Sequence, residues 1–365
     1  MIPENISSLI KANIEKIDES KEIPKDLISE LLNENFFRLL LPRSYGGLEM
    51  DFIDYLEIVF ELASYDASVA WCINQSNVLA TNAAYMDSKL AKKIFDNPKS
   101  IISNGPPIKS NVKETKEGVI VSGKWSFSSG IKNANWVLGI YTDKNKEKKN
   151  ILFPKTDVNI GDDWNVNGLR GTGSYSFSVK NKSVPKENIF YDRKHLHEKG
   201  PIYKIPRELK FSAGFSTIAH SLANSTINFT IEFSKNKNSI SSTQLSKEQV
   251  FIREIGIMKA IYGSSKSFLN SSVRKVWSKV SDGDSLDDEC IAELRLASTH
   301  AIRSSENIVK KAYTLLGSSS IFKFNDIQRC FQDMLAISQQ IQGRMSHYET
   351  AGQHFLGNEP DSRFH

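Results

Sequence analysis

VSGKWSFSSGIKNANWVLG, residues 121–139, marks a change of period in the chain. On either side of it, apolar residues form short β-rich runs: Val119 and Val121, Trp136 to Tyr141, Ile151 to Phe153, then Tyr175, Phe177 and Val179. Period two lays one face of a strand on a core and turns the other to water. Gly and Asn-Lys turns punctuate these runs, which is the signature of a small sheet or barrel. Residues 101–200 are therefore expected to form a central β-barrel.

Outward from that stretch the period is helical. On the N-terminal side, IPKDLISELL places Leu27, Ile28, Leu31 and Leu32 on one face,. Pro42 and the pair Gly46-Gly47 then break the chain,. Asp51 and Asp54 open a second helix carrying Phe52, Tyr55, Leu56, Val59 and Phe60,. A third helical stretch, rich in small residues, runs from Ala67 to Ala84. On the C-terminal side, stripes run through Val250, Ile257, Ile261, Phe268 and Val273, then Leu294, Ala301, Ile308, Ala312 and Leu315. Asp284 or Ser285 is expected to cap the latter helix and Gly317 to end it,. The fold class is α+β, mostly α: a helical domain over 1–100, the barrel over 101–200 and a helical bundle over 201–365,.

Composition excludes several functions. The 365 residues are 39% hydrophobic and 24% charged, with a formal net charge of only +5. The densest basic run, Lys144, Lys146, Lys148 and Lys149, is diluted by Asp143 and Glu147 and reads as a solvated loop, so no nucleic-acid partner is expected,. Cys72, Cys290 and Cys330 are scattered and lack metal-ligand spacing,. No secretory leader and no apolar run long enough to span a membrane is present, so a soluble, cytoplasmic protein is expected,.

Common chemical motifs are also missing. GLRGTGS, residues 168–174, has GxxGxG spacing and is followed by an alternating strand pattern, whereas a dinucleotide loop opens a helix,. There is no P-loop, no GxSxG elbow and no HExxH. DGDSLDDE lacks calcium-loop spacing,. Electrons for any redox reaction must then arrive on another carrier.

Three segments in order resemble the acyl-CoA dehydrogenase superfamily: LLLPRSYGGLEMDFIDYLEIVFELASYDASVAW (39–71), residues 121–139 with WNVNGLRGTGSYSFSVKNKSVP (164–185), and YTLLGSSSIFKFNDIQRCFQD (313–333). The resemblance implies an N-terminal helical domain, a central β-barrel and a C-terminal four-helix bundle. It further implies a homotetramer, with flavin between barrel and bundle. Dehydrogenases of that superfamily carry a catalytic Glu near the C-terminus; the matching place here holds Gln342-Gly343, and an amide is no general base,. ISNGPPIKS stands where their TEPGAGSD precedes the barrel, and the Arg-rich segment that reaches a neighbour's FAD is reduced to FSKNKNSI.

The pattern Gly123, Trp125, Phe127, Ser129, Gly130 and Trp136 is instead similar to the flavin-dependent monooxygenase branch. That likeness implies the oxygenase component of a two-component system. Reduced FMN or FAD comes from a separate flavin reductase, oxygen adds as a C4a-(hydro)peroxyflavin, and a small aromatic, indole, sulfur or amine substrate is oxygenated. Loss of the FAD-clamping arginine tilts the choice to FMN.

By family position Ser129 is the hydroxyl beside flavin N5, or else a turn serine before Gly130,. Trp125, Phe127 and Trp136 wall the flavin or form barrel core,. Arg170 meets phosphate or a partner subunit, or serves packing; Thr172 and Ser174 contact the cofactor or stabilise a turn. The substrate-facing His of phenol hydroxylases corresponds to Gln340, with His347 two turns farther as a substitute or a surface residue,. Trp71, Asn74 and Asn77, with Gln75, face substrate in this reading. Two alternatives remain: an acyl-thioester dehydrogenase with a displaced base, Glu254 or Glu349, or a non-catalytic relative in which Gln332 and Gln340 record decay.

Overall fold

The computed structural model describes residues 1–191, 196–238, 243–323 and 325–358. Two compact units interleave along the chain: residues 1–55, 68–166 and 170–207 form the first, and 56–67, 167–169 and 208 onward the second.

The first unit begins with helices α1 (Glu4–Ala12), α2 (Ile14–Ser20) and α3 (Lys25–Asn33), then α4 (Phe52–Tyr65), which opens at the unit's edge, α5 (Ala67–Ala80) and α6 (Ser88–Phe95). Residues 66–86 are buried throughout, so α5 has no solvent face,. Its polar side chains must therefore find partners inside the protein.

The strands follow: β1 (Ile102–Asn104), β2 (Pro107–Glu114), β3 (Gly118–Trp125), β4 (Trp136–Thr142), β5 (Lys148–Pro154), β6 (Asn159–Ile160), β7 (Phe177–Pro185) and β8 (Ile189–Phe190). They make two four-stranded sheets, ordered β1-β4-β5-β8 and β2-β3-β7-β6. The expected barrel is thus a pair of sheets, and among the described residues no ladder closes it. Edge strands β6 and β8 have two residues each, too short to carry pairing around. One core fills the space inside, with Val121, Trp125, Phe177 and Val179 from one sheet meeting Val137, Tyr141 and Phe153 from the other. Trp125 stacks on Phe177 with centroids 4.9 Å apart. A Cβ on Gly123 or Gly139 would stand 2.6 or 2.8 Å from the Trp125 ring, so both positions must stay bare for the indole to fit.

The second unit holds α7 (Arg207–Asn236), which starts at its edge, α8 (Gln249–Ser281), α9 (Asp288–Leu315), α10 (Asp326–Gln339) and α11 (Ser346–Phe355). Ala223 and Ile227 of α7, Met258 of α8, Ile308 and Ala312 of α9, and Ile327 of α10 share one core, as a four-helix bundle requires,. The cap of α9 is Asp287 rather than Asp284 or Ser285: its carboxylate accepts from Cys290 N at 2.8 Å,. Gly317, at φ +58°, follows the helix end in the left-handed conformation expected of it,. Among the described residues no helix is long and apolar enough to cross a membrane.

Candidate functional site

The loop after β3 is built around two left-handed residues, Phe127 at φ +55° and Gly130 at φ +71°. Ser128 N donates to Tyr175 O at 3.1 Å, and Gly130 N to Thr172 O at 2.7 Å. These bonds lace residues 126–130 to the GLRGTGS segment, and so bring two stretches of sequence to one place. Gly105 presses on the same loop, since a Cβ there would collide with Ser126 O.

At the centre is Ser129, only 6% exposed. Its Oγ accepts from Trp71 Nε1 of α5 at 3.1 Å and lies 2.8 Å from Ser174 Oγ. Ser174 Oγ in turn lies 2.7 Å from Thr172 Oγ1. Four residues named separately from sequence thus form one buried file: indole, hydroxyl, hydroxyl, hydroxyl. Ser103, which sequence reasoning missed, donates to Ser129 O at 2.8 Å. Ser128 was missed as well; its buried Oγ has no partner among the described residues. Ser129 and Gly130 also line a small crevice with Ile23, Phe37, Cys72 and Ile102.

Phe127 is 64% exposed and meets Trp164 edge-on at 6.3 Å. An exposed aromatic ring in a conformation costly to a side chain is an unusual combination, and such strain clusters at binding sites. Asn74 is fully buried; it accepts from Tyr55 O–H at 2.9 Å, while its amide nitrogen has no partner among the described residues. Gln75 Nε2 donates to Asn104 Oδ1, pairing two amides at the end of β1.

Other expected site residues serve packing. Trp125 is wholly buried in the sheet core, its indole N–H spent on Ile140 O at 2.9 Å, so it walls no ligand. Trp136 starts β4 and carries the Lys93 ammonium 5.7 Å from its ring centroid. Among the described residues Arg170 is held by main-chain carbonyls. Its Nε donates to Asp18 O at 3.0 Å and its Nη1 to Val166 O at 3.1 Å, fastening the loop to the end of α2. Asn77 is a brace, not a substrate ligand: it accepts from Leu40 N and donates to Phe36 O and Ile73 O.

In the second unit, Gln340 and His347 act on a single turn. Gln340 Oε1 accepts from Gln342 N at 2.7 Å, and His347 Nε2 lies 2.8 Å from Ile341 O. A carbonyl only accepts, so Nε2 carries the proton and the imidazole staples the turn. Both side chains are thus engaged in holding the local turn. Gln342 points inward, accepting from Ser212 Oγ at 2.7 Å and from Arg295 Nη1 at 3.4 Å. Arg295, missed from sequence, is 5% exposed, and burial pushes its guanidinium pKa down,. Of the alternative bases, Glu254 is paired with Arg253 and Lys311, whose hydrogen bonds hold its pKa below the usual carboxylate range, and Glu349 lies exposed at the start of α11. Ser239 and Ile240 of FSKNKNSI lie outside the described residues.

Comparison with known proteins is consistent along the whole chain. The profile described as "Acyl-CoA dehydrogenase, N-terminal domain" matches residues 3–93, and that described as "Acyl-CoA dehydrogenase, C-terminal domain" matches residues 213–342. The chain is 26% identical to the indole-3-acetate monooxygenase of Acinetobacter baumannii over 336 residues, covering 89% of this chain and 85% of that one. It is 21% identical to the p-hydroxyphenylacetate 3-hydroxylase oxygenase component of the same species, covering 89% of this chain and 80% of that one. Among solved structures, XiaF from Streptomyces sp., in complex with FADH2 and glycerol, superposes with a TM-score of 0.91 at 16% identity, covering 98% of this chain and 94% of that one. Fold, segment order and both profiles agree: the chain belongs to the acyl-CoA dehydrogenase superfamily.

Proposed function

We propose that this protein is the oxygenase component of a two-component flavin-dependent monooxygenase. The observation that carries the reading is Ser129 Oγ, held by Trp71 and Ser174 in the same loop that exposes the Phe127 ring. A reduced flavin would supply the two electrons and the atom at which oxygen is activated. The residues present fit that group. Phe127 offers an uncovered ring for a planar partner, Ser129 a buried hydroxyl, and Ser128 Oγ a buried polar atom awaiting a partner,. The named monooxygenases similar to this chain, and the reduced flavin in the XiaF complex, support the same assignment.

In this reading Ser129 orients the flavin edge and holds or releases a proton there, while the buried file behind it excludes water. The partner is a flavin reductase, the flavin FMN or FAD, the assembly a homotetramer, and the substrate a small aromatic, indole, sulfur or amine compound. Neither Glu254, engaged by two cations, nor the exposed Glu349 stands at the place where an acyl-thioester dehydrogenase carries its base. Gln342 stands at that place, and Glu254 is neutralised by two cations.

The test is to give the full chain chemically reduced flavin under oxygen and to follow hydrogen peroxide. Wild type is expected to release it far more slowly than free flavin does, and Ser129→Ala to release it quickly. Release by wild type at the free-flavin rate overturns the reading.

A further inference from the structure

We propose that Trp71, Ser174 and Thr172 are positioning residues forming with Ser129 a reversible hydroxyl relay, which lets Ser129 act alternately as acceptor and donor toward one ligand atom. The proposal rests on the flavin reading above and adds a mechanism to it.

A serine hydroxyl has one proton and two lone pairs. Trp71 Nε1 is a donor only, so its 3.1 Å bond to Ser129 always occupies one lone pair of Ser129,. Ser174 Oγ touches two hydroxyls, Ser129 at 2.8 Å and Thr172 at 2.7 Å, and can donate to only one of them at a time. Two directions result. When Ser129 donates to Ser174 and Ser174 to Thr172, Ser129 keeps one lone pair to accept from a ligand N–H. When Thr172 donates to Ser174 and Ser174 to Ser129, both lone pairs of Ser129 are filled and its own proton is presented to a ligand acceptor. Reversal moves three protons and no heavy atom.

A flavin needs both states. Its N5 bears a hydrogen when reduced and a bare lone pair when oxidised, so a fixed donor or a fixed acceptor would oppose one half of the cycle. All four residues are buried, with Thr172 1% exposed and the others 6%. Water therefore does not replace a missing link, and a buried hydroxyl left without its partner weakens whichever state orphans it.

The relay predicts an asymmetry that plain packing does not. In Ser174→Ala, accepting from N5–H leaves the Ser129 proton without an acceptor, whereas donating to bare N5 still satisfies it. Affinity for reduced flavin is expected to fall about tenfold more than affinity for oxidised flavin. By linkage this lowers the two-electron potential of the bound flavin by about 30 mV. Ser174→Thr keeps the hydroxyl and restores the wild-type ratio. Thr172→Val, one link farther, shifts the ratio in the same direction by less, and it carries the test if Ser174→Ala does not fold.

The experiment measures dissociation constants of oxidised and reduced FAD and FMN by anaerobic titration, with the bound potential, for the full chain and these variants. Ser129→Ala and the Ser129→Ala/Ser174→Ala pair complete the cycle, and in that background Ser174→Ala should change nothing further. Equal losses for both redox forms, or a Ser174 effect that survives without Ser129, overturn the relay while leaving the flavin reading intact. A folded wild type that binds neither form overturns both.

Discussion

The Asp333 carboxylate accepts the main-chain N–H of Leu169 at 2.5 Å, tying residues 167–169 to α10. Leu169 holds φ +50°, a conformation a branched side chain avoids, and the buried carboxylate is part of what keeps it there,. Gly168 permits the approach, because a Cβ would collide with Gln332 O. Gln332 thus meets the loop through its main chain, and the Arg of the family's R-D pair is not needed for that contact. Asp333→Ala is expected to cost about 1–3 kcal/mol by removing the acceptor that this buried amide uses. Asp333→Asn costs less, since the carboxamide oxygen still accepts. Urea midpoints at unchanged slope measure both, and equal midpoints for Asp333→Ala and wild type would refute the tie.

His347 and Gln340 hold the turn at Ile341–Gly343 from two sides. His347→Ala should lower stability by about 1 kcal/mol while leaving the peroxide yield per reduced flavin unchanged. His347→Gln, whose amide can donate to the same carbonyl, should recover most of the loss. A general base would instead lose about 10²–10⁴-fold in rate, and no amide would rescue it.

Period and spacing made the helix–strand–helix order legible, because they report which face of an element is buried. They do not report what a buried polar atom touches. Asn74 and Asn77 lie three residues apart on a helix buried on all sides. One braces residues 36–40 and the other has an uncommitted amide nitrogen, a difference invisible in the string NQSN. Trp125 and Phe127 share a strand-like alternation until φ turns positive at Phe127 and throws its ring outward. Ser129 and Ser174 were legible separately; their meeting depends on ladder bonds between segments 45 residues apart.

His220 of α7 is 2% exposed, with Nε2 3.0 Å from Ser265 Oγ and its ring against Tyr262 at 5.7 Å. Burial, then the Lys266 and His300 charges, pushes its pKa down to about 3,. In the unfolded chain it titrates near 6.5. Between those values the unfolded state binds the extra proton, so His220 contributes stability that is complete above about 6.5 and lost as pH falls toward 3,. The slope is at most about 1.4 kcal/mol per pH unit. His220→Gln should flatten the stability profile in that window; an unchanged profile would show that the imidazole is not neutral inside.

Phe127 tests the aromatic wall apart from the hydroxyl. Its ring is mostly exposed, so Phe127→Ala should leave the urea midpoint within about 0.5 kcal/mol of wild type,. Flavin affinity should nonetheless fall severalfold, because stacked aromatic pairs contribute about 0.5–1.5 kcal/mol beyond area. Phe127→Gly should be more stable than Phe127→Ala by about 1 kcal/mol, since only glycine holds φ +55° without strain,. Unaltered flavin titrations for both variants would remove Phe127 from the site.

Trp125 and Gly139 form a pair whose energies should not add. The Gly139→Ala methyl would meet the indole 2.8 Å from Cε2, a contact the close-packed core cannot relieve, costing about 1–3 kcal/mol,. Trp125→Phe gives up the indole N–H bond to Ile140 and leaves space where the outer part of the six-membered ring was. The two changes compensate, because the methyl enters the volume the smaller ring vacates. The double variant should therefore be more stable than the sum of the single losses by about 0.5–3 kcal/mol. Gly105→Ala collides with Ser126 O and not with the indole, so with Trp125→Phe it should add normally. Additivity in both cycles would mean that Gly139 is bare for a reason other than the bulk of Trp125.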